Sequence, residues 1–137
     1  IPVVQVNSLR ALAWPWRELE ATIAVIQPAR RGHVYYLAVR RGEELAPVEF
    51  LATGEALARA VALSGPVFFA GNLPDGLAFP GQVIDRSCGP QAAAIARIAA
   101  VEFAAGRAVP PEAALPLYLR PSDAEVVAAE RQKAEKT

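Results

Sequence analysis

Two kinds of apolar run punctuate this chain, and each predicts a different element. Residues 22–27 (TIAVIQ) and 33–39 (HVYYLAV) are short, rich in β-branched and aromatic side chains and free of acidic residues, which is the pattern of extended strands. A third run, 47–51 (PVEFL), follows across Arg40-Arg41-Gly42-Glu43-Glu44, so the three are expected to form an antiparallel meander. At the start, IPVVQV predicts a strand over 1–6, with Pro2 where a missing N–H is tolerated and Asn7 or Ser8 capping a short helix from Leu9.

Thr53 is the expected N-cap of a helix through Leu57 and Val61, which ends near Ser64-Gly65-Pro66 and gives way to a buried strand over 66–70. Glycines and prolines then predict loop from Gly71 to Pro90. The clearest helix spans 91–105, with Pro90 at its first turn, Gly106 past its end and a stripe of Ile95, Ile98 and Val101. Prolines 110, 111 and 116 break the chain before a brief extended piece at 117–120. Ser122 and Glu125 have capping-box spacing for a last helix whose residues 128–136 show no apolar face. Helix and strand together give an α/β fold class.

Composition narrows the functions. With 137 residues, 53% of them hydrophobic, the chain suits one globular domain. Fourteen basic and fourteen acidic residues cancel, so no overall basic field would gather nucleic acid or an anionic membrane. Cys88 and His33 are each single, which excludes an internal disulfide and cysteine- or histidine-based metal sites and suits a reducing cytoplasm. No run approaches the roughly 20 apolar residues of a membrane helix. The absence of methionine, with a strand-like run at the very start, leads us to expect a fragment of a longer protein.

The residues themselves predict no catalytic centre, metal or cofactor. His33 could be a general base but has no companion and reads as a surface histidine at a strand start. Cys88 could be a nucleophile near the positive end of the helix after Pro90, or a small buried side chain. Gly71-Asn72-Leu73-Pro74-Asp75-Gly76 lacks the spacing of a phosphate loop. Asp75, Asp85 and Glu102 have no evident pairing and read as carboxylates solvating turns and helix faces. Arg30 and Arg31 should sit at one end of the first strand pair and Arg40 and Arg41 at the other, so they do not pool. Trp14-Pro15-Trp16 suits either a stacking platform or a core anchor.

Three segments, in order, resemble the C-terminal half of the TsaB (YeaZ) family, accessory subunits of bacterial tRNA threonylcarbamoyladenosine (t6A) biosynthesis. IPVVQVNSLRALA at 1–13 is similar to the family's IPVVGVSSLEALA, ARRGHVYY at 29–36 to ARRGEVYY, and PLYLR at 116–120 to P-x-Y-x-R. Pro28 and His33 depart from the aspartate and glutamate usual in the family. The resemblance implies an actin-like (ribonuclease-H-like) architecture. Residues 1–21 would be the last strand and helix of a mostly missing first domain, and 22–121 the second domain. That second domain would be a three-stranded meander followed by helix, strand and helix, and 122–137 a polar C-terminal helix or tail.

The resemblance further implies a non-catalytic scaffold without a cofactor of its own. Its partners would be a catalytic TsaD-like subunit and a TsaE-like ATPase, with tRNA reached only in the complex. Expected contacts to a partner or RNA are Arg30, Arg31, His33, Tyr35, Tyr118 and Arg120. A stand-alone RNA-binding module and a glycoprotease-like peptidase are the competing readings. An unpaired apolar edge at 1–6 also predicts either a homodimer through that segment or its disorder.

Overall fold

The computed structural model describes residues 1–86, 89–119 and 122–136; Cys88 and Arg120 lie outside the described residues. One mixed sheet forms the centre. Strands β1 (Thr22–Pro28) and β2 (His33–Arg40) pair antiparallel, with Val25 opposite Leu37. The outer edge of β2 is shared by β3 (Glu43–Glu44) and β4 (Glu49–Ala52), both antiparallel to it. On the other side β5 (Val67–Ala70) runs parallel to β1, and β6 (Gln82–Val83) parallel to β5.

Helices cover both faces, which explains the uninterrupted apolar run of β1. Ala24 and Ile26 turn one way, into a core with Val34, Tyr36, Phe69 and, from α2 (Thr53–Val61), Ala56 and Ala60. Ile23 and Val25 turn the other way, against Leu9 and Leu12 of α1 (Ser8–Ala13). Behind α1 lies α3 (Ala92–Ala104), whose Ala94 and Ile98 pack on Ala11, close enough for the two helices to need small side chains. Burying Ile26 or Ile98 completely stabilises the fold by about 2–3 kcal/mol each.

Turn chemistry fixes the strand pairs. Arg41-Gly42 is a two-residue hairpin loop with φ of 51° and 78° at its two positions, the conformation whose twist matches the flanking strands. Arg31 and Gly32 likewise sit at φ 57° and 72°. Gly71 is required for a different reason. Its φ is 110°, and a Cβ there would stand 2.3 Å from the Ile26 carbonyl oxygen.

Several expectations change. Residues 1–6 do not form a strand of the sheet. Val3 instead makes one antiparallel bridge to Val109, with two hydrogen bonds of 2.9 Å, so part of this run is paired inside its own chain. Thr53 is the first residue of α2 and not its cap. Its N–H and its hydroxyl both donate to the Gly32 carbonyl, at 3.0 and 2.9 Å, and lash α2 to the β1–β2 turn. The stripe of α3 is Ala94, Ile98 and Glu102, while Ile95 and Val101 are exposed. The loop after β5 contains the short strand β6. The Ser122–Glu125 capping box is present and starts α4 (Asp123–Glu135), which buries no residue.

Candidate functional site

A groove in two compartments runs beside α1. The first, about 1260 Å³, is walled by residues 5–10 and by 114–117 with Leu119, and Tyr35 and Val48 also line it. The second, about 660 Å³, continues past Tyr35, Leu117 and Leu119, which both compartments share, to Arg30 and Ser122.

An arginine–glutamate cluster that local sequence reading missed closes the deep end. Arg10, between Leu9 and Ala11 of α1, is buried. Its Nε donates to the Gly42 carbonyl at 2.8 Å and its Nη1 to Glu102 Oε1 at 2.9 Å, while Nη2 lies 3.6 Å from Glu43 Oε1. Arg107 grips the same Glu102 carboxylate from solvent, through Nε to Oε2 and through Nη2 to Oε1 at 3.0 Å. Glu102 therefore corrects its reading as a solvating carboxylate, since it is buried and doubly paired. The signal available was a glutamate four residues after Ile98 in an alanine-rich helix, matched by an arginine between Leu9 and Ala11.

Electrostatics follow from this geometry. The hydrogen bond from Arg107 holds the Glu102 carboxyl at about 2, with Arg10 adding to the effect and burial opposing it. Near neutral pH Glu102 is thus a fixed anion, suited to clamping α1, α3 and the β2–β3 turn and unsuited to carrying protons. Glu44 goes the other way: burial raises its carboxyl, partly countered by Arg10 and by a hydrogen bond from Asn7.

The structure brings Arg30, Tyr35 and Tyr118 together along the second compartment. Arg30 pairs with Asp123 at 3.0 Å, Tyr35 is half-buried, and Tyr118 is 85% exposed. Arg31 and His33 stand apart on the turn. His33 stacks on Phe50 with ring centroids 4.8 Å apart, and its Nδ1 lies 3.0 Å from the Arg31 carbonyl oxygen. Arg41 pairs with Glu20 at the far end of the strand pair, so the arginine pairs are separated as expected. Trp14 takes the anchoring role: it packs with α1 and α3, its ring meets Gly42, and the Arg17 guanidinium lies 4.8 Å over it. Among the described residues no group of three His, Cys, Asp or Glu side chains is placed to hold a metal ion.

No protein-family model matches the sequence, and a search of curated proteins found no match. Solved structures do match. An uncharacterized Pseudomonas aeruginosa protein with similarity to peptidase YEAZ superposes with a TM-score of 0.65 and 27% identity over 87% of this chain. The fold is YeaZ-like. YeaZ from Pseudomonas aeruginosa itself gives a TM-score of 0.65 and 25% identity over 85% of the chain. The resemblance read from the three segments therefore holds in three dimensions. This YeaZ-like chain spans about 60% of the length of those two structures.

Proposed function

We propose that this chain belongs to a TsaB-type scaffold subunit of the tRNA t6A machinery, acting in the cytoplasm without catalysis of its own. The YeaZ-like superposition over 87% of the chain carries this reading. The strand order supports the actin-like, ribonuclease-H-like assignment: antiparallel β1, β2 and β4, a helix, then β5 parallel to β1. Under this assignment the partners are a TsaD-like catalytic subunit and a TsaE-like ATPase. The groove supports a binding role, since Glu102, a carboxylate in its lining, is locked between arginines. Co-purification of the protein bearing this chain with the TsaD-like subunit of the same organism tests the proposal. A stoichiometric complex is expected; two proteins that elute apart at micromolar concentration would contradict it.

One observation favours an RNA-binding reading as the alternative. Arg30, Tyr35 and Tyr118 offer a cation and two aromatic faces in one compartment, the combination that holds single-stranded bases. Glu125 lines the same compartment and Asp123 neutralises Arg30, which is why we place this reading second. Retention of tRNA that weakens steeply as salt rises would favour it.

A further inference from the structure

We draw no further inference here: the strongest candidate, the exposed apolar surface of α3 formed by Ile95, Val101 and Phe103, carries nothing, because nothing in the structure shows what covers it.

Discussion

Arg10 and Glu102, 92 residues apart in the chain, meet in a buried 2.9 Å ion pair between α1 and α3. Arg107 completes the clamp from solvent. Because Glu102 falls from 4.5 to about 2, its contribution to stability is fully present above about pH 4.5 and is lost as pH falls through about 2. Glu102→Gln should cost about 1–3 kcal/mol at pH 7, the range reflecting solvent screening of the half-exposed Arg107. Urea melts at pH 7 and at pH 2.5 check this: the gap between the two proteins should shrink in acid, and a gap independent of pH would count against the clamp.

Gly71→Ala should destabilise by more than about 2 kcal/mol, since it combines a positive φ with a Cβ driven into the Ile26 carbonyl. Gly32→Ala, where nothing lies within 4 Å of the new Cβ, should cost only about 1 kcal/mol for the backbone conformation. Thermal unfolding of the two variants separates the effects. Equal losses would mean that the close approach to β1 is not rigid.

Arg31 holds φ 57°, in the left-handed region that a non-glycine side chain disfavours. Arg31→Asn should stabilise the chain by about 0.5 kcal/mol, because asparagine tolerates the left-handed region. A lower melting temperature would show that the arginine makes a contact worth more than the strain.

Ser122→Ala removes the hydroxyl that accepts from the Glu125 N–H at 3.2 Å. The loss of about 1 kcal/mol should fall on α4 alone. Helical circular dichroism should drop while the cooperative unfolding of the sheet stays where it was. A matching fall in global stability would show that α4 is part of the core unit.

Much of this fold was readable in the chain because its strands obey simple rules. TIAVIQ and HVYYLAV read as strands from their short, β-branched and aromatic runs, and both are strands of the sheet. The α4 capping box was readable because it is a local arrangement of four residues. In α3 the register failed, since a helix of alanines offers no contrast between faces, and the buried position went to Glu102 through a partner on α1 that periodicity cannot see. Thr53 misled for a related reason: its hydroxyl serves Gly32, far away in sequence, instead of its own helix. The candidate site was legible only in part. The turn motif drew attention to Arg30 and Tyr35, but their meeting with Tyr118 depends on how the 114–119 segment crosses the sheet face.

The proposed service of this YeaZ-like chain in tRNA t6A modification should be visible in bulk tRNA. Mass spectrometry should compare the t6A content of cells with the gene for this protein, without it, and with it restored. A loss of t6A on removal and its recovery on restoration are expected. Unchanged t6A in cells without the gene would contradict it.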